Sequence, residues 1–173
     1  MSLTAGRILM LNGTSSSGKT TIVRALQSRL AELWLEMGID RFAYALPGRV
    51  RGEPTWPLLF PYVPIPGAPE GAFAIETTLL GERFVSAVHV TAVTLAKRGL
   101  NVIVDHVMLE ARWFDECRRL WSPYSPLYVR VSCPRDVLLQ RASDGPNSDP
   151  RASDEPVRPA RALQTPGISR SAA

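Results

Sequence analysis

Gly13, Thr14, Ser15, Ser16, Ser17, Gly18, Lys19 and Thr20 match the pattern G-x-x-x-x-G-K-S/T without a break. Each residue type has a physical reason to be there. The glycines let backbone N–H groups turn toward phosphate oxygens, and the start of a following helix adds positive partial charge. Lys19 would reach the β- and γ-phosphates of a nucleoside triphosphate, and the Thr20 hydroxyl would ligate magnesium. Thr21 belongs to the same candidate nucleotide-binding set. At ordinary residue usage such a match arises by chance in roughly one chain in a hundred or fewer of this length. The plain alternative is a serine-rich loop with an incidental lysine.

Two carboxylates are the next candidates. Asp105 closes the apolar run Val102 to Val104, where an acid would hold magnesium or its water shell. An aspartate capping a helix or turning a loop would look the same. Asp40 falls one helix and one short strand after the loop. A parallel sheet brings strand C-termini to one edge, so Asp40 could face the γ-phosphate and accept the proton of an attacking hydroxyl. A turn aspartate is the competing explanation. His89 and His106 are weaker candidates for touching substrate, since an isolated histidine is more often packed or at the surface than a ligand.

These residues need elements to position them. Arg7 to Leu11 reads as a buried strand entering the loop. Ile22, Leu26, Leu30 and Leu33 recur at helical spacing after it, with Val23 and Ala25 widening the stripe. Trp34 to Ile39 fits a last helical turn or a second strand, and Gly38 favours a break. Glu82 to Arg98 reads as a helix presenting Phe84, Val88, Ala92 and Leu95, stopped by Gly99. Val102 to Val104 is a strand, Glu110 to Leu120 a helix, Leu127 to Val131 a strand, and Pro134 to Arg141 a helix start. Strands alternating with helices predict an α/β fold: a doubly wound parallel sheet.

Composition bounds what else the chain does. The 173 residues are 45% hydrophobic and 21% charged, ordinary for one globular domain. No apolar run approaches the eighteen or so residues of a membrane span, and Met1 to Leu11 is too short an apolar stretch for a secretion signal. Two cysteines and two histidines make neither a disulfide framework nor a convincing zinc set, so a cytoplasmic protein is expected. The net charge of +4 is carried by arginines dispersed among carboxylates, which argues against a nucleic-acid site. Pro47 to Gly71 holds seven prolines with Trp56, Phe60 and Tyr62, too proline-rich for a regular element. From Ala142 to Ala173 there are no aromatics and only Val157, Leu163 and Ile168 as large aliphatics, too little apolar area to offset ordering the backbone. The expected organisation is a kinase-like domain over residues 1–141 and a low-complexity tail over 142–173. That tail is either naturally disordered or the product of a shifted reading frame.

The stretches Ile8 to Thr20, Trp34-Leu35 with Gly38-Ile39-Asp40 and Ala45-Leu46-Pro47, and Gly99 to Leu109 with Val104-Asp105-His106-Val107 together resemble chloramphenicol phosphotransferase and its relatives. The resemblance runs from about Ile8 to Arg141 and is poor through the proline-rich middle. It implies a phosphate-loop kinase of the nucleotide-kinase type, using ATP and Mg2+ to phosphorylate a small hydroxyl compound. In that family the aspartate matching Asp40 is the general base, and Lys19 keeps its phosphate role. The family continues with an arginine-rich lid and a last strand, neither recognisable after Arg141. Arg141 itself could be the first lid arginine and touch the nucleotide.

The expected function is therefore transfer of the ATP γ-phosphoryl group to a small-molecule hydroxyl, with Lys19 and Asp40 in the reaction. Thr20 and Asp105 would be at the metal. Kinases of nucleosides, shikimate or gluconate would use the same loop with another acceptor pocket. A nucleotide-binding protein without turnover is the rival from a different class. The acceptor and the oligomeric state are not legible in the sequence.

Overall fold

The computed structural model describes residues 4–46, 56–67 and 73–144. Among the described residues four strands form the central sheet: β1 (Ile8–Asn12), β2 (Trp34–Gly38), β5 (Asn101–His106) and β6 (Leu127–Arg130). Their order is β2-β5-β1-β6 and every pairing is parallel. Helices α1 (Lys19–Arg29), α2 (Ile39–Tyr44), α3 (Leu79–Lys97) and α4 (Ala111–Trp121) lie between them in the chain, and α5 (Arg135–Asp144) follows β6.

Alternation along the strands splits the core in two. Ile8 and Met10 of β1, with Val102 and Val104 of β5, face α3 and α4 and meet Val85, Val88, Ala92, Trp113, Cys117 and Trp121. Leu9, Leu11 and Ile103 point to the opposite face, where Val23 of α1 covers them. The sheet is thus doubly wound, as expected, with by far the larger cluster on the α3–α4 side. Each fully buried aliphatic there contributes roughly 1.5–3 kcal/mol.

Several sequence expectations need correction. The apolar stripe on α1 is buried only in part: Val23 is fully buried and Leu26 packs against the same cluster, whereas Ile22, Leu30 and Leu33 are 36%, 37% and 70% exposed. The loop sets the helix phase. Lys19 must turn back toward the loop, which puts Val23, four residues on, against the sheet, and the helix ends at Arg29 with Leu30 already extended. Of the two readings open for the segment from Trp34, the strand is the one that forms, over Trp34–Gly38 at the sheet edge.

The proline-rich segment does contain regular structure. A 3-10 turn at Trp56–Leu58 leads to β3 (Tyr62–Pro64), which pairs antiparallel with β4 (Phe73–Ile75). A two-strand ribbon tolerates Pro64 because each strand is an edge, with one side free of ladder bonds. Phe60 is core, meeting Phe84 and Trp113 edge-on, so ordinary packing accounts for it. Residues 47–55 and 68–72 lie outside the described residues.

Helix α3 starts at Leu79, earlier than Glu82, because the Thr78 hydroxyl accepts the Gly81 N–H at 3.1 Å and caps it. Its buried face is Val85, Val88, His89, Ala92 and Ala96, with Phe84 and Leu95 only half-buried. It is 19 residues long and its most apolar 18-residue window has a mean hydropathy of 1.3, enough by length and composition to cross a membrane, contrary to the expectation that no segment is. Here the helix lies against β5 and α4. Helix α5 runs three residues beyond the expected domain end at Arg141. The rest of the expected tail, residues 145–173, lies outside the described residues.

Candidate functional site

The phosphate loop leaves β1 at Asn12 and enters α1 at Lys19. Two residues in it adopt left-handed backbone, Ser16 at φ 60° and Gly18 at φ 97°. Such reversals turn successive N–H groups inward and make an anion-binding concavity. Gly18 suits its conformation because a side chain there would be strained. The loop is closed by hydrogen bonds from Ser17 N–H to Thr14 O (3.3 Å) and from Gly13 N–H to His106 O (3.2 Å). The Ser17 hydroxyl is buried and has no hydrogen-bond partner. Thr14 is half-buried, whereas Ser15, Ser16, Thr20 and Thr21 are exposed.

Lys19 is only 7% exposed. Its ammonium donates to Gly13 O (2.9 Å) and Thr14 O (2.8 Å) and lies 3.6 Å from the Asp105 carboxylate. Burial lowers its pKa; Asp105 and, after it, Asp40 act in the opposite direction. Asp105 is the mirror case. Burial raises its carboxyl, Lys19 opposes that, and Asp40 adds to the rise. The Thr20 hydroxyl donates to Asp105 Oδ2 at 3.4 Å, so a hydroxyl and a carboxylate converge beside the ammonium. Hard oxygen donors of this kind suit Mg2+. Among the described residues no cluster of three or more His, Cys, Asp or Glu is placed to hold a metal. The orphaned Ser17 hydroxyl, the inward-turned loop and the Thr20–Asp105 pair fit a magnesium-bound triphosphate.

Sheet order brings Asp40 to the same edge. Gly38 of β2 is in register with Asp105 of β5, and Asp105 in turn with Leu11 of β1. A Cβ on Gly38 would sit 2.3 Å from the Asp105 carbonyl oxygen, so only glycine allows the two strand ends this close. Asp40 lies two residues on, exposed, in the first turn of α2, and its charge is felt at both Lys19 and Asp105. Phe42 holds α2 down by an edge-on contact with Phe84 of α3. Arg141 lies on α5, and its side chain is outside the described residues.

The two histidines form a buried constellation. His89 Nδ1 meets Glu116 Oε2 at 2.6 Å, His89 Nε2 meets His106 Nε2 at 3.0 Å, and the Ser86 hydroxyl donates to Glu116 Oε1 at 2.7 Å. Burial lowers both imidazoles, His106 to about 3 with His89 adding to the fall. Sequence reasoning treated the histidines singly and missed Glu116. The available signal was His89 among the apolar positions of α3, together with a second histidine at the end of a buried strand.

Against known proteins, the family profile for chloramphenicol phosphotransferase-like protein matches residues 6–155. Two curated proteins from strains of Mycobacterium tuberculosis, named as candidate O-phosphotransferases, are 31% identical over 127 residues. The alignment covers 68% of this chain and 53% of theirs, so the chain spans about half the length of these relatives. Among solved structures, a sugar kinase from a Janibacter species superposes with a TM-score of 0.55 at 20% identity, covering 92% of this chain and 74% of that one. The Mycobacterium tuberculosis APS kinase in complex with AMPPNP and APS gives a TM-score of 0.55 at 15% identity, covering 86% and 75%. At these identities the likeness is one of fold: an α/β phosphate-loop kinase architecture. The profile match covers most of the chain, which belongs to the chloramphenicol phosphotransferase-like family.

Proposed function

We propose that this chloramphenicol phosphotransferase-like chain is an ATP-dependent phosphotransferase that moves the γ-phosphoryl group to a hydroxyl of a small molecule. The observation that carries the reading is the meeting of Lys19, Thr20 and Asp105 at one sheet edge, within the field of Asp40. Loop amides from Gly13 to Lys19 hold the triphosphate, with Ser15, Ser16, Ser17 and Thr21 around it. Lys19 exchanges the Gly13 and Thr14 carbonyls for phosphate oxygens, which offer more negative charge than two neutral acceptors. Thr20 and Asp105 hold Mg2+, which when bound neutralises charge building up on the phosphoryl oxygens. Asp40, exposed to an incoming acceptor, takes the hydroxyl proton as its oxygen bonds to phosphorus and the bond to the ADP oxygen breaks. Most of the rate gain comes from positioning and charge neutralisation. Arg141 is proposed as a further nucleotide contact.

The test is a screen of hydroxyl compounds, amphenicols, nucleosides, shikimate and gluconate included, for ADP release from magnesium-ATP. Acceptor-dependent release supports the reading and names the acceptor class. Magnesium-ATP binding with no acceptor-dependent release across the screen would replace it with a nucleotide-binding protein.

A further inference from the structure

The Glu116–His89–His106 chain lies outside the proposed chemistry, yet its last member adjoins it. His89 and His106 are 0% and 1% exposed, with their ring centroids 5.2 Å apart. They are enclosed by aromatic side chains: Trp121 packs edge-on to His89 at 5.8 Å, and Trp113 lies 6.0 Å from His106. Buried polar groups cost stability unless fully paired, and two apolar residues would fill the same space more cheaply. What apolar packing cannot supply is direction. A carboxylate accepts only, so Glu116 assigns a proton to His89 Nδ1. Neutral His89 then presents the Nε2 lone pair, and His106 must donate its Nε2–H. Each bond orients the next ring.

His106 is the last residue of β5, directly after Asp105. Its carbonyl oxygen takes the N–H of Gly13, the first residue of the phosphate loop. Two residues on, the Met108 N–H donates to Asn12 Oδ1 at 3.0 Å, tying the same chain end to the last residue of β1. At the other end the Trp121 indole N–H donates to His89 O at 3.0 Å, anchoring the helix that carries the relay.

We infer that Glu116, His89 and His106 are positioning residues: a directional hydrogen-bond chain that orients the end of β5 and, through it, Gly13 and Asp105. The role assigned to Gly13 and Asp105 rests on the proposed phosphotransferase site; the orienting of the strand end does not. Glu116 is the member to alter first, because it sits at the half-exposed end of the chain and its replacement leaves the core intact. Glu116→Gln keeps an oxygen that accepts from His89, and Glu116→Leu removes it.

The primary readout is backbone amide hydrogen exchange, without nucleotide, on the full chain. Glu116→Leu should speed exchange at Gly13 and Met108 at least tenfold while Val102, inside β5, stays within twofold. Glu116→Gln should leave all three at parental rates. Magnesium-ATP binding is the second readout: about tenfold weaker for Glu116→Leu, restored in Glu116→Gln. Unchanged exchange at Gly13 and Met108 in Glu116→Leu would overturn the inference, as would equal effects of Gln and Leu, which mark mere core filling. A parent chain that binds no magnesium-ATP would sink the phosphotransferase reading instead, leaving the exchange result to decide the positioning role.

Discussion

Acid should destabilise this protein in a pH range where most proteins are indifferent. His89 and His106 are the only histidines in the chain, so between about pH 5 and 6.5 they dominate any side-chain titration that distinguishes folded from unfolded states. In the unfolded chain each takes a proton near 6.5, whereas the folded core holds His106 neutral down to about 3 and lowers His89 as well. The unfolded state therefore binds more protons as the pH falls. Stability is fully present above about 6.5 and is lost progressively toward 3. Each titrating group costs about 1.4 kcal/mol per pH unit. Over the 1.5 units from about 6.5 to 5, His106 alone removes about 2 kcal/mol, and His89 acts in the same direction. Against a total of about 5–15 kcal/mol this is a large fraction. It corresponds to a midpoint drop of roughly 4 °C or more for a domain of this size. Glu116 works in the same direction at lower pH. Its burial alone would raise its carboxyl, but the bonds from His89 and Ser86 outweigh that and lower it. Asp105 works in the opposite direction, because burial raises it and protonation there favours the fold. Urea titrations at half-unit steps from pH 7 to 4.5 measure the slope. The His106→Gln chain, with nothing to protonate at that position, should lose most of its share. A parent whose unfolding free energy is flat from pH 7 to 5 would refute the argument.

Lys19→Ala should abolish detectable magnesium-ATP binding by calorimetry, because no other loop residue supplies positive charge near the β- and γ-oxygens; parental affinity would remove the loop from the mechanism. Asp40→Asn keeps the shape and removes the base, so kcat should fall by roughly 10²–10⁴ with ATP affinity unchanged. A full transfer rate would reduce Asp40 to a turn residue and make Asp105 the next candidate base. Gly38→Ala places a methyl 2.3 Å from the Asp105 carbonyl oxygen, which must force β2 and β5 apart. Urea unfolding should register a loss of about 1–3 kcal/mol, and a parental midpoint would contradict the close approach.

Some of this protein is written in spacing along the chain. The strand, loop and helix around Gly13 to Thr20 depend on neighbours within a dozen residues, so the eight-residue motif identifies them directly. Asp105 stands out for the same reason, as the first polar residue after an apolar run, although the strand itself continues to His106. The alternation of strands and helices pointed to a parallel sheet covered on both faces, which is what forms. Local pattern misled where a neighbour in space outranked a neighbour in sequence. Ile22, Leu26, Leu30 and Leu33 keep helical spacing, but the loop dictates the phase of α1, which ends before Leu30, and Val23 takes the fully buried position. Proline density hid β3, whose partner β4 lies across residues 65–72.

The candidate site divides in the same way. Its ingredients were visible one by one, but the proximity of Asp40 to Lys19 and Asp105 follows from β2 lying beside β5, and of Asp105 to the loop from β5 lying beside β1. Strand order is decided by long-range packing, not by the composition of either strand. The Glu116–His89–His106 chain was invisible for the same physical reason. Three elements, α3, β5 and α4, each contribute one side chain, and a hydrogen bond between residues 17 or 27 positions apart leaves no periodic trace in the sequence. What the residues could do chemically was set by their types and local spacing; which of them meet was decided only when the sheet closed around them, because burial and direction exist only in three dimensions.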